Sequence, residues 1–352
     1  GDGFSVDVLA ARGPRLFDPA VERNRLMSKF PTTNQKLQTR ESRKQQGSVG
    51  IVAIDDGSSF EVPTVIGNET FNLIFDTGSA DLWVFLGQVA KDQNQGHPIY
   101  VPSDSSNLLS NYNFSIKYAS GASVNGTVYT DTVKVGPVVA EKQAVQAALN
   151  VPYAIDADGI LGLASGGINT VQLVKQKTFF ETVLPTLSKR VFAADFRVNS
   201  TGSWDFGYLN ETKYKGDINH VNVVLPFKHW TMVAGQYSVG DGPLSATSDT
   251  LDKLIVDSGS SLLYLPDPAV KAYYNQVPGF KMSFGGVDDL TLTVPGKNIN
   301  FGIIDRFKNL CTGAITGKLN LKYAVLGNIF MQNYNVVHSY EGEVPKLGFG
   351  SR

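Results

Sequence analysis

The sequence predicts an all-β protein built as two similar lobes, and three observations carry that expectation. From Phe60 onward, short runs rich in Val, Ile, Thr, Phe and Tyr alternate with clusters of Gly, Ser, Asn and Asp, the signature of strands and turns. One motif occurs twice, about half a chain apart: Phe71-Asn-Leu-Ile-Phe-Asp76-Thr-Gly-Ser-Ala-Asp-Leu-Trp83-Val-Phe85 returns in outline as Asp252-Lys-Leu-Ile-Val-Asp257-Ser-Gly-Ser-Ser-Leu-Leu-Tyr264-Leu-Pro266. Each copy is followed downstream by two apolar residues and a glycine, Ile160-Leu161-Gly162 and Val325-Leu326-Gly327. Two copies of one unit imply two similar lobes, each contributing a loop to a shared seam. With 352 residues and 42% hydrophobic content, the chain is long and apolar enough for two lobes of ordinary domain size.

Element by element, Val62–Ile66, Phe71–Phe75, Phe114–Tyr118, Thr127–Val135 and Lys253–Tyr264 read as strands. Helical patterns are few. Thr178–Lys189 is one, and Pro268–Gln276 is another, with Asp267 placed as its N-cap. Pro19–Phe30 reads as a further short helix near the start of the chain. The expected organisation is a leader over 1–47, an N-terminal lobe over 48–218 containing Asp76, and a C-terminal lobe over 219–352 containing Asp257.

Charge is unevenly distributed along the chain. Residues 1–47 hold nine Lys or Arg and five acids, a net of +4, while the remainder carries −5. A basic leader on an acidic body is either a solvated tail or a segment held partly by electrostatics. The overall net charge of -1 argues against a nucleic-acid binder that relies on a general positive field. No run approaches the uninterrupted apolar length of a membrane span. The single cysteine, Cys311, excludes an intrachain disulfide and a cysteine-rich zinc site. Five sequons, at Asn68, Asn113, Asn125, Asn199 and Asn210, are formally competent for glycosylation and lean toward a secretory route. The chain starts at Gly1 without Met or an apolar signal segment, as a processed product or an artificially trimmed chain would.

The chemistry lies in the repeated loop. An aspartate at the end of an apolar strand is disfavoured unless it is hydrogen-bonded. In each copy it is followed by a small hydroxyl residue, a glycine and a serine: Thr77-Gly78-Ser79 and Ser258-Gly259-Ser260. Glycine permits a tight turn and close approach of backbone N–H groups to the carboxylate. Ser79 and Ser260 can donate to the outer oxygens of Asp76 and Asp257, and Thr77 and Ser258 can grip the opposite loop. Two carboxylates brought together cannot both ionise cheaply, so they share a proton and titrate as a pair. The ionised member can take a proton from water while the protonated one polarises a carbonyl, with no metal or cofactor. His97, His220, His229 and His338 show no HExxH spacing, and no Gly-x-Ser-x-Gly elbow is present. Gly313–Lys318 falls short of a phosphate loop and reads as a turn.

These residues resemble the pepsin-like aspartic proteases. Phe75-Asp76-Thr77-Gly78-Ser79-Ala80-Asp81-Leu82-Trp83-Val84-Phe85 is most similar to the fungal penicillopepsin and aspergillopepsin branch. The resemblance extends through Gln143–Ala148, Asp158–Ala164, Asn169–Gln172, Trp204–Gly207 and Pro345–Gly350. It implies a bilobal fold with an extended-peptide cleft, catalysis at acid pH by Asp76 and Asp257, inhibition by pepstatin-type compounds, and a monomer that is secreted or, alternatively, vacuolar. Tyr118-Ala119-Ser120-Gly121 matches the family's flap, with Trp83 as the hydrogen-bond partner of Tyr118. Large apolar residues are expected around the scissile bond, and Ser120, where lysine-accepting relatives carry Asp, argues against cleavage after Lys.

The resemblance also gives the leader a role as an intramolecular inhibitor. Gly3–Val6 resembles the start of fungal prosegments, and Ser28-Lys29-Phe30 resembles an inhibitory lysine-aromatic pair. Lys29 would then sit between the two aspartates, with Phe30 beside it and processing near Arg43-Lys44. Three departures stand out. Ala119 replaces a common glycine, and His338-Ser339 stands where the family often has Phe-Asp. Cys311 lacks its usual partner, and the stretch from Gly279 to Val294 is short. Either that loop and disulfide are missing from the protein, or residues are missing from the sequence. The rival reading is a protease-fold binding protein with weak catalysis.

Overall fold

The computed structural model describes residues 44–352, apart from 55–56, 95, 119–120, 122, 152–154, 199, 201, 235, 244, 247–252, 276–278, 285–289, 306–309 and 319–320. Lys29, Phe30 and the Pro19–Phe30 helix therefore lie outside the described residues, as do Ala119, Ser120 and Asn199.

Strands dominate, and a 13-stranded sheet organises them. At its centre the strands Gly47–Ile54, Gly202–Phe206 and Val191–Asp195 lie side by side and antiparallel. The C-terminal strands Tyr334–Ser339 and Lys346–Ser351 continue the same sheet, with Val336 opposite Ala194 and Val337 opposite Gly348. Both ends of the described chain thus meet in one sheet. The expected boundary at 218/219 falls inside the strand Lys215–Asn222, which pairs with Lys346–Ser351.

One arrangement is built twice around the repeated motif. In the first, Glu69–Asp76 ends at the aspartate, runs parallel to Gly159–Gly162, and is followed by Leu82–Phe85, antiparallel to that same strand. In the second, Lys253–Val256 runs parallel to Ala324–Leu326, and Leu263–Leu265 is antiparallel to it. The outer strand is then continued in parallel by Val138–Asn150 in the first case and Ile315–Gly317 in the second. The apolar-apolar-glycine motif follows from this geometry. A Cβ on Gly162 would lie 2.5 Å from the amide nitrogen of Asp81, and one on Gly327 would lie 2.4 Å from the carbonyl oxygens of Ser260 and Leu262. Only glycine lets the strand thread this close beneath the loop.

Four expectations change, the first being Gly313–Lys318, which holds the strand Ile315–Gly317 rather than a turn. Lys253–Tyr264 is two strands with the Asp257 loop between them, because apolar residues on both sides of the turn mask it. Thr178–Lys189 shortens to an α-helix over Phe179–Val183, capped by the Thr178–Glu181 capping box, and a 3₁₀ turn over Leu184–Thr186. Pro185, which has no N–H to donate, tightens the chain there. The helix Asp267–Tyr274 is N-capped by Pro266, so Asp267 is its first residue and its side chain caps nothing.

The main core runs continuously from Val49 to Phe349 and includes Phe192, Trp204, Phe206 and Trp230, each 1% exposed or less. Aromatic rings meet edge-on around Phe192, with Trp230 at 5.7 Å and Phe180 at 4.6 Å. A second cluster, containing Trp83, Phe85, Phe114 and Val128, lies under the hairpin formed by Asn107–Lys117 and Ser123–Val135.

Candidate active site

Asp76 and Asp257 end apolar strands, and their loops meet. The backbone N–H of Gly78 donates to Asp76 Oδ1 (2.7 Å) and the Ser79 hydroxyl to Oδ2 (2.5 Å). The second loop repeats this, with Gly259 N–H on Asp257 Oδ1 (2.9 Å) and Ser260 on Oδ2 (2.7 Å). The loops also exchange bonds. Thr77 N–H donates to Ser258 Oγ and Ser258 N–H to Thr77 Oγ1, both at 3.0 Å. Each hydroxyl then donates across the seam to the strand preceding the other aspartate, Thr77 to Val256 O (2.9 Å) and Ser258 to Phe75 O (2.6 Å). Thr77 and Ser258 are buried, at 0% and 3% exposure, where such bonds hold geometry most firmly.

The glycines bring the carboxylates into contact. A Cβ on Gly78 would sit 2.6 Å from Cγ of Asp257, and one on Gly259 would sit 2.5 Å from Oδ1 of Asp76. Two carboxylates this close cannot both ionise cheaply. Burial first, then the neighbouring Asp76 charge, pushes the Asp257 carboxyl well above the ordinary carboxylate range. Asp257 nevertheless keeps an intermediate exposure.

A support that the sequence reading passed over stands behind Asp76. Asp81, 2% exposed, accepts on Oδ1 from Gln146 (2.7 Å), Asn169 (2.9 Å) and both the N–H (2.9 Å) and hydroxyl (3.0 Å) of Thr170. Burial raises its pKa, and these donors work against the rise. The signal was present in the repeat itself, since the second copy has Leu262 at the matching position.

The hairpin over the second core cluster places Tyr118 at the end of the strand Asn107–Lys117. The indole N–H of Trp83 donates to Tyr118 Oη at 2.8 Å, tying the hairpin to the strand that leaves the Asp76 loop. Gly121, at φ +88°, closes the tip with its N–H on Tyr118 O (2.9 Å). Tyr264, the repeat mate of Trp83, lies within reach of the Asp257 charge.

The four histidines are dispersed. His97 bonds Asp158 (2.9 Å) and Ile155 O (2.8 Å) and stacks on Phe85. His338 is enclosed in the core, His220 is held on the strand Lys215–Asn222, and His229 lies near Asp76. Among the described residues, no group of three or more His, Cys, Asp or Glu could hold a metal ion, and no helix is long and apolar enough to cross a membrane. Of the sequons, Asn68 and Asn113 are exposed, and Asn125 and Asn210 are partly so. The Asn210 side chain accepts from the N–H and hydroxyl of Thr212, its own sequon threonine (3.1 and 2.7 Å).

Comparison with known proteins agrees with this geometry. Residues 62–351 match the family model described as eukaryotic aspartyl protease. Aspergillopepsin-1 of Aspergillus fumigatus is 36% identical over 352 residues, covering 94% of this chain and 87% of the relative. Penicillopepsin-3 of Penicillium janthinellum is 32% identical over 366 residues, covering 98% and 91%. The solved structure of the aspartic proteinase from Irpex lacteus shares the fold at a TM-score of 0.72, with 20% identity and coverage of 87% of this chain and 97% of that one.

Proposed function

The chain belongs to the eukaryotic aspartyl protease family and is an aspartic endopeptidase of peptide substrates, and from that premise we propose that Asp76 and Asp257 are its catalytic pair. The observation that carries this is the close approach of two carboxylates across the seam, each held by a glycine N–H and a serine hydroxyl. Asp257, the member pushed upward, holds the proton. Ionised Asp76 takes a proton from water as the water oxygen attacks the scissile carbonyl carbon. Asp257 passes its proton to the carbonyl oxygen, which gives a neutral tetrahedral diol. Asp76 then gives its proton to the amide nitrogen while Asp257 takes one from a diol hydroxyl, so the C–N bond breaks to a carboxylic acid and an amine and the pair regains its starting protonation.

Around this pair, Tyr118 and Trp83 position the hairpin that covers bound peptide, and Gly121, with the neighbouring Ala119 and Ser120 of the sequence, is assigned to substrate binding. The preferred substrates carry large apolar residues about the scissile bond. The leader is read as the enzyme's own inhibitor, with Lys29 between the aspartates, and the protein as a secreted monomer. The test is direct. Asp76→Asn and Asp257→Asn are each expected to lower kcat by at least ~10³-fold at acid pH, with pepstatin blocking the parent and a chelator leaving it active. Substantial acid proteolysis by either variant would overturn the assignment.

A further inference from the structure

We propose that Asn169 is a positioning residue of the reaction, holding the loop that aims the Ser79 hydroxyl at Asp76. The two copies of the repeat support this loop differently. In the second copy three successive backbone amides carry it. Asn328 N–H donates to Ser260 O (2.7 Å), Ile329 N–H to Ser261 O (3.1 Å) and Gly327 N–H to Leu262 O (3.1 Å). In the first copy, Ala164 N–H donates to Ser79 O (2.9 Å) and Gly162 N–H to Asp81 O (3.0 Å). The carbonyl between them, Ala80 O, takes the side-chain amide of Asn169 instead (3.0 Å). One side chain does in this lobe what a backbone N–H does in the other.

A side chain can stand in for a backbone group only if it is itself held in place. Asn169 is 2% exposed. Its Oδ1 accepts from Val171 N–H (3.1 Å) and Gln176 N–H (3.0 Å), which turns Nδ2 toward the loop. There Nδ2 donates to Ala80 O and to Asp81 Oδ1 (2.9 Å), with Gln146 Oε1 farther off at 3.3 Å. Asp81 Oδ1 also gathers Gln146 Nε2 and both donors of Thr170. Leu262 fills the matching place in the second copy, where backbone amides make such a holder unnecessary. Ala80 lies one residue past Ser79, whose hydroxyl donates to Asp76 Oδ2 (2.5 Å). A donor on a carboxylate favours its ionised form, so loosening Ser79 withdraws support from the ionised Asp76 that must accept the water proton. The role rests on the catalytic reading given above, and the experiment separates the two.

The test is the pH dependence of kcat/KM, with kcat referred to the folded fraction from near-ultraviolet circular dichroism. Asn169→Leu keeps the bulk of the side chain and removes both donors. It is expected to lower kcat about tenfold, leave KM within about twofold, and raise the acid limb of the profile by about half a pH unit. Asp81→Leu, which imports the residue of the second copy, should do the same and decides the matter if Asn169→Leu does not fold. Asp81→Asn keeps an oxygen where the donors converge, so kcat should stay within about threefold of the parent with the acid limb in place. In a Ser79→Ala background, Asn169→Leu should cost less than about twofold more, because both act through one hydroxyl. Parent-like Asn169→Leu and Asp81→Leu enzymes, or a kcat loss with an unmoved acid limb, would overturn the proposal. So would an Asp81→Asn enzyme as slow as Asp81→Leu, or independent effects in the Ser79→Ala background. A parent-like Asp76→Asn enzyme would instead overturn the catalytic reading itself.

Discussion

Gly78 and Gly259 show how far the site depends on single atoms. Each faces the opposing carboxylate at a distance that no Cβ tolerates, so Gly259→Ala should push Asp76 off its line and cut kcat by about 10²-fold, the usual cost of a misplacement near 1 Å. Gly121→Ala is the control. Its Cβ would meet nothing within 4 Å, and only the φ of +88° opposes it, so a stability loss of about 1 kcal/mol is expected, without the displacement of a catalytic carboxylate. Ser258→Ala tests the exchange across the seam differently. It removes the acceptor of Thr77 N–H and the donor to Phe75 O, leaving two buried backbone groups unpaired. Denaturant unfolding should show a loss of about 3 kcal/mol.

At the level of elements, the Trp83–Tyr118 bond couples the hairpin to the strand that leaves the Asp76 loop. Tyr118→Phe leaves the fully buried Trp83 indole N–H without its partner. It should raise KM and lower kcat by a combined factor of about ten, with a shift in tryptophan emission reporting the changed indole environment. Much of this layer was legible in advance. The expected strands at Val62–Ile66, Phe71–Phe75 and Thr127–Val135 lie within observed ones, because each alternates or runs apolar between clear turn residues. The repeat located both aspartate loops, since a carboxylate ending an apolar strand has few other uses. What the sequence hid was nonlocal. Nothing in Tyr334–Ser339 announces that its partner is Val191–Asp195, and Asp257 sits in a run apolar enough to pass for one strand.

Stability of the whole molecule should peak in mild acid, because buried groups pull it in opposite directions. Asp257 and Asp81 are raised above their ordinary values. Their contribution is full below the unfolded carboxylate range near pH 4 and declines as pH rises through their folded values. Asp131 has the reverse sign. Burial would raise it, but donors from Ser105, Ser103, Thr132 and Tyr100 outweigh that and hold it low, so its support persists into acid and fades only as pH falls through the lowered value. His338 opposes acid stability. It is 0% exposed, stacked on Phe192 at 4.4 Å and edge-on to Trp230 at 4.8 Å. Burial pushes its pKa down to about 3, so the unfolded chain binds a proton below about pH 6.5 that the native state refuses. At pH 4 that difference amounts to about 3 kcal/mol against folding, and it vanishes above about pH 7. His338→Phe keeps the ring stack and removes the proton site. Its Tm should rise by several degrees more at pH 4 than at pH 7.5; an equal shift at both would mean that the gain comes from packing and that His338 plays no part in the acid limit.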